Sequence, residues 1–409
     1  MAKDFWKECV FMDDLKKRAL DYHQFPKPGK LSVDSSKPCA TQDDLSLAYT
    51  PGVAEPVREI NADPANAYKY TNKGNLVAVI TDGTAVLGLG NMGALASKPV
   101  MEGKAVLFKR FAGIDVFDIE INASSPDEFI QTVVNIAPTF GGINLEDIAA
   151  PHCFYIENEL KKRLDIPVFH DDQHGTAVIV AAALLNALEL QGKTLSTAKI
   201  VFLGAGAAGC SCAKLLKLMG ATNITMVDRT GVIDTSRPDL HDNNRELAVA
   251  PSANKTLTDV MPQADVFIGV SAKNALDATL IKGMAKNPII FALANPDPEV
   301  LPSVAHAIRD DILMATGRSD FPNQVNNALC FPYLFRGALD AKATQITEKM
   351  KIAAAMALSE LAREPVPAEV LAAYNLTSLS FGKEYIIPKP FDARLLARVS
   401  GAVAKAAKE

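Results

Sequence analysis

The stretch KIVFLGAGAAGCSCAKLL, Lys199 to Leu216, decides how the second half of the chain folds. It opens on an apolar, β-branched run, passes through Gly204, Gly206 and Gly209, and closes on an Ala- and Leu-rich segment, so a strand turns directly into a helix. Glycine serves three purposes in such a turn: a tight bend, approach of the backbone to a pyrophosphate, and close packing of helix on strand, with the helix N-terminus facing the phosphates. The next apolar run, NITMVD, ends at Asp228, 19 residues beyond Gly209, where a carboxylate can accept hydrogen bonds from ribose hydroxyls. The turn therefore reads as a binding site for NAD or NADP. Arg229 next to it carries a guanidinium able to pair with a 2′-phosphate, so both coenzymes are expected to serve, with NAD weakly favoured.

Alternation spreads outward from this turn. Strand PVFH, a helix over 176–191, strand KIVFLG, a helix over 207–219, and strands NITMVD, ADVFIGV and PIIFALA make a βαβα succession, which implies a parallel sheet covered on both faces. Upstream the texture is looser, with strands such as NLVAVI (75–80) and GIDVFDIEI (113–121) among loops rich in Gly, Pro and Asn. The expected fold is α/β: a Rossmann-like, doubly wound parallel sheet domain over 161–409, a smaller N-terminal α/β substrate domain over 1–160, and C-terminal helices from about 335.

Composition narrows the class. A chain of 409 residues can bury a sizeable core. Its 42 Lys and Arg against 47 Asp and Glu, with no basic block, give no nucleic-acid footprint. Six scattered cysteines fit a reducing compartment, and Cys210 and Cys212, one residue apart on a helix, make neither a redox pair nor a zinc knuckle. Asp4, Glu8, Asp13 and Asp14 speak against a leader segment, and the longest apolar run, GTAVIVAAALLNALEL, reads as a buried helix rather than a membrane span. A cytoplasmic enzyme acting on a small molecule is expected, without nucleic-acid or membrane partners.

The segment FHDDQHGTA, residues 169–177, poses the chemical question. His170 and His174 stand four apart, the spacing with which a helix grips zinc for hydrolysis, but that reading needs a helix under both. A Pro, a β-branched residue and an aromatic precede the motif and an Ala-rich run follows, so the chain should pass from strand to helix inside it, with the helix beginning near Gly175 and Thr176. The acids then carry the chemistry. Asp172, at the carboxyl end of a strand, joins Glu146 and Asp147 of INLEDI as three hard oxygen donors suited to Mg²⁺ or Mn²⁺. Lys104, in SKPVMEGKAVLF, reads from its own stretch as a surface lysine; held near a divalent cation it would be a base. Tyr49 reads as a packed aromatic.

Together the stretches LAYTPGVAEP, TDGTAVLGLGNMGALASKPVMEGK, FGGINLEDI, FHDDQHGTA, GAGAAG, ALANPDPE and GRSDFPNQVNNALCFP resemble the malic enzymes of the shorter bacterial type, along nearly the whole chain. The resemblance implies oxidation of malate at C2 followed by loss of CO₂, in a homo-oligomer using NAD(P) and a divalent metal. It makes Tyr49 the general acid, Lys104 the general base with Asp171 beside it, and Glu146, Asp147 and Asp172 the metal ligands. It assigns Asn295 and Asn327 to substrate or nicotinamide. In one place the chain departs: larger members carry an arginine in the TDG loop for a substrate carboxylate, and Ala85 stands here. Malolactic decarboxylation with a retained NAD would use the same residues.

Overall fold

The structure, a computed structural model, describes residues 14–409; Asp4, Glu8 and Asp13, three of the acids that speak against a leader, lie outside them. Two parallel sheets organise the chain. The first has the order β2-β1-β3-β4, built from β1 (Leu76–Thr81), β2 (Asp115–Glu120), β3 (Gly142–Leu145) and β4 (Val168–His170). Every residue of β1 is buried, as its run LVAVIT requires of a strand covered on both faces. The second sheet has the order β10-β9-β8-β5-β6-β7, from β5 (Lys199–Leu203), β6 (Asn223–Asp228), β7 (Gly231–Val232), β8 (Val266–Gly269), β9 (Ile289–Ala292) and β10 (Leu313–Thr316). Only β7 runs antiparallel. Because β6 lies on one side of β5 and β8 on the other, strand order reverses at β5, and a crevice opens at the carboxyl ends of these strands.

One expectation is corrected by strand pairing. Alternation makes PVFH the opening strand of the second sheet, yet β4 pairs with β3 in the register Asn144↔Phe169 and closes the first. The next helix joins the sheets. It spans Asp171–Leu190 and, beyond its polar first turn, carries no continuous polar face, as befits a helix largely buried in the core. Among the described residues it alone is long and apolar enough to cross a membrane, and 72% of that window is buried inside the fold.

Seven helices matter below: α1 (Ala94–Ala112), α2 (His152–Arg163), α3 (Asp171–Leu190), α4 (Ala207–Leu218), α5 (Phe331–Asp340), α6 (Glu348–Arg363) and α7 (Arg394–Ala406). The C-terminal helices return to the first sheet instead of extending the second. Phe331 and Phe335 of α5 meet Phe108 of α1 edge-on at 4.8 and 5.3 Å, and Phe335 also meets Phe169 of β4 at 5.8 Å. Asn186 of α3, fully buried, donates to the carbonyls of Ser359 and Ile386 and accepts from Ser359 Oγ and Arg363 Nε. All of its polar capacity is used, which fixes α6 against α3.

Candidate active site

Glu146 and Asp147 follow β3 without a spacer, and Asp171 and Asp172 follow β4, so neighbouring parallel strands deliver four acids to one edge. Asp147 adopts the left-handed conformation, φ 55°, which turns the chain sharply after the strand. Its backbone N–H donates to Asp172 Oδ2 at 2.9 Å, and its carbonyl accepts from Ala85 N of the TDG loop at 2.9 Å. Oxygens of Glu146, Asp147 and Asp172 gather within 4.8 Å of one another. Buried Asn144 donates to Glu146 Oε2 at 3.0 Å and orients it; a polar residue inside the apolar strand GINL is its signal in the sequence.

Lys104 lies inside this edge, correcting its reading as a surface lysine. Its side chain is 11% exposed, its Nζ is 2.5 Å from Asp171 Oδ2 and 2.9 Å from Glu146 Oε1, and it sits 4.6 Å from the centre of the Phe331 ring. Asn327 Nδ2 donates to the same Asp171 oxygen at 2.6 Å. Burial disfavours the ammonium, yet the carboxylates of Asp171, Glu146 and Asp172 hold its pKa above the usual lysine value. Glu146 is pushed well above the carboxylate range by burial, with Lys104 pulling against that and Asp172, Asp171 and Asp147 adding to it. Four acids around one ammonium leave an excess of buried negative charge. A divalent cation fits the donor set, which is hard, oxygen-only and short of positive charge.

The helix does not begin at Gly175. It begins at Asp171, with His170 as the N-cap residue, whose Nδ1 accepts weakly from Gln173 N at 3.4 Å. Gly175 stands in the first turn for another reason: a Cβ there would lie 1.9 Å from Asp171 Oδ1. The missing side chain is the space that the Asp171 carboxylate fills. The histidines do sit on different elements. Among the described residues His174 joins no metal cluster; it contacts the Glu157 carboxylate at 2.9 Å through Nε2 and accepts from Lys351 Nζ at 3.0 Å through Nδ1. Burial lowers its pKa to about 4, leaving it neutral in this network.

At the second sheet, Gly204 takes φ 114°, and a Cβ on it would come 2.5 Å from the Val270 carbonyl oxygen, so the β5 and β8 ends approach as closely as only glycine allows. A Cβ on Gly209 would meet the Gly204 carbonyl oxygen at 2.1 Å, and at Gly206 it would meet nothing within 4 Å. That open side, above the N-terminus of α4, which has no side-chain cap, fits a pyrophosphate. Buried Glu299 accepts from Ser271 N and Ala294 N and ties the loops after β8 and β9.

Asp228 is at the end of β6 as expected, but its carboxylate is engaged. Arg237 grips both oxygens at 2.8 and 2.9 Å, and Thr230 N and Gly231 N donate to Oδ1. Arg237 also pairs with Asp239 at 2.6 Å. Arg229 is exposed and makes no hydrogen bond among the described residues. Nothing in the local sequence marks Arg237 as the partner, because eight residues separate it from Asp228. Asn295 ends the β9 side, and a Cβ on Gly88 would lie 2.3 Å from its carbonyl oxygen, so the loop after β1 closes on the loop after β9. Tyr49 is neither packed nor in contact with the cluster. It is 68% exposed at the end of the helix Gln42–Ala48, and its hydroxyl has no hydrogen-bond partner among the described residues.

A dinucleotide-binding sheet together with a carboxylate cluster around a buried lysine defines a nicotinamide-dependent oxidoreductase for a small-molecule substrate. The chain belongs to the malic enzyme family. Residues 28–161 match the malic enzyme N-terminal domain and residues 173–376 the malic enzyme NAD-binding domain. It is 60% identical to an NADP-dependent malic enzyme of Halomonas elongata over 97% of this chain and 94% of that one. It is 57% identical to the Escherichia coli NADP-dependent malic enzyme over 97% of this chain, which spans only 53% of that longer protein. The crystal structure of a Thermotoga maritima NAD-dependent malic enzyme superimposes with a TM-score of 0.86 at 43% identity, covering 94% of this chain and 98% of that one.

Proposed function

We propose that this chain oxidises malate to pyruvate and CO₂ with reduction of NAD(P), and that Glu146, Asp147 and Asp172 hold the Mg²⁺ or Mn²⁺ it needs. The observation that carries the reading is Lys104, buried between Asp171 and Glu146 beside the three-carboxylate cluster. A bound divalent cation would polarise the substrate's C2 oxygen and neutralise the carboxylates that keep Lys104 protonated. Lys104 would take the C2 hydroxyl proton, and a nicotinamide bound at the second sheet would supply the acceptor for the hydride from C2. Asp171, held by Lys104 and Asn327, keeps the amine at the substrate. Loss of CO₂ from C3 leaves an enolate, and Tyr49 returns a proton to C3.

An exposed Tyr49 reaches a substrate through an assembly. Leu45, Leu47, Val53 and Val57 are exposed around it, an apolar surface that supports a homo-oligomer in which this segment is covered. A cytoplasmic location belongs to the same reading. The test is malate with Mn²⁺ and either coenzyme: absorbance at 340 nm should rise in step with pyruvate. Lactate formed without net coenzyme reduction would mean malolactic decarboxylation, and no product with either coenzyme would end the proposal.

Two predictions arise here. Gly175→Ala should force Asp171 out of place and lower kcat on the order of 10²-fold, the cost of a displacement of about 1 Å. Unchanged turnover would show that Asp171 can point elsewhere without harm. Arg237→Ala should unmask the Asp228 charge beside the 2′ position, lowering kcat/KM for NADP about tenfold relative to NAD, an effect of about 1.4 kcal/mol. Arg229→Ala should move the ratio less. Equal losses with both coenzymes in Arg237→Ala would mean that Asp228 is not near that position.

A further inference from the structure

A cleft of about 330 Å³ opens beside the turn that carries the acids, between α2, α3, α4 and α6. None of Lys104, Glu146, Asp147, Asp171 and Asp172 lines it, nor does any glycine of the dinucleotide turn. Gln173 and His174, the residues directly after Asp172, form part of its wall. Gln173 is 3% exposed, and its Nε2 has no acceptor among the described residues. Its Oε1 accepts from Ser211 Oγ at 3.5 Å, so the buried amide nitrogen is the donor left over for an acceptor that enters as the cleft wall opens slightly.

Other donors converge on the same space. Lys351, 2% exposed, uses two of its three donor positions, on His174 Nδ1 and on Glu348 at 2.6 Å. Lys214 uses two, on Asn243 at 2.8 Å and on Glu246 at 2.5 Å. Lys214 and Glu246 have side chains 34% and 65% exposed, so that pair is weak enough for an incoming anion to displace the acid, while buried Lys351 keeps its third donor position for the anion. Glu157 differs. It is 3% exposed and bound to His170 N, His174 and Lys161, so it stays as part of the frame.

Resting on the malate-oxidising reading, we propose that this cleft binds a small phosphate-type oxyanion, held by Lys351, Lys214 and the Gln173 amide, and that its occupancy sets the affinity of the neighbouring carboxylate turn for metal. The route is short. Lys351 holds His174, His174 holds Glu157, and Glu157 accepts from the backbone N–H of His170, which precedes Asp171. Gln173 itself is bonded into the sequence between Asp172 and His174, so a ligand that draws on its amide pulls on the same helical turn.

The full chain, saturated with NADP to occupy the pyrophosphate turn, is titrated calorimetrically with inorganic phosphate and with glycerol 3-phosphate at constant ionic strength. One saturable site is expected, weakened at least tenfold in Lys214→Ala and in Gln173→Leu, while Lys214→Ala retains basal malate oxidation. At fixed free Mn²⁺, phosphate should shift Mn²⁺ affinity severalfold in the parent and not in Lys214→Ala. Tighter binding of glycerol 3-phosphate identifies a phosphomonoester as the ligand, and equal or weaker binding identifies free phosphate. No saturable binding in the parent, or equal binding in both variants, overturns the proposal. Absence of malate oxidation in the parent would defeat the functional reading instead, because the anion titration is scored without malate.

Discussion

Asp172→Asn is expected to lower malate oxidation by more than about 100-fold, the loss that follows removal even of outer-shell partners at metal sites, and to weaken Mn²⁺ binding in parallel. The amide removes an anionic donor from a set whose oxygens lie within 4.8 Å of one another. It also leaves one oxygen where there were two, to serve both the metal and the Asp147 N–H that positions a second ligand, so one substitution disturbs two. Titrating Mn²⁺ by its paramagnetic signal, with kcat measured at saturating metal, separates the effects. Parent-like turnover in saturating Mn²⁺ would remove Asp172 from the site.

Lys104→Ala should abolish oxidation, costing on the order of 10²- to 10⁴-fold in kcat while leaving coenzyme affinity unchanged. It should also destabilise the metal-free protein by about 3–5 kcal/mol, because Asp171, with no exposed surface, loses its ammonium partner. The double variant Lys104→Met with Asp171→Asn tests whether the two effects are separate. It should recover most of the stability in chemical denaturation and none of the activity. Recovery of activity would show that the lysine serves only as a counter-charge, and an undiminished kcat in Lys104→Ala would end its assignment as the base.

The α/β class, the dinucleotide turn and the cluster of acids were legible in the chain because their signals are local. Gly204, Gly206 and Gly209 stand between a strand and a helix within a dozen residues, and acids placed just after an apolar run mark a strand end. Partnership was not legible. PVFH has the same β-forming residues whichever sheet it joins, and its pairing with β3 depends on packing that its own sequence does not encode. Gly175 looked like a helix boundary because a glycine's local meaning is flexibility, whereas its use is the volume taken by the Asp171 carboxylate. Lys104 looked exposed because its burial depends on Phe331 and Asp171, more than 60 residues away, and Arg237 escaped notice because its grip on Asp228 forms across a loop. Periodicity and glycine spacing carry backbone geometry and travel with the local sequence. Burial, charge pairing and the room left by a missing side chain belong to groups that meet only when distant segments pack.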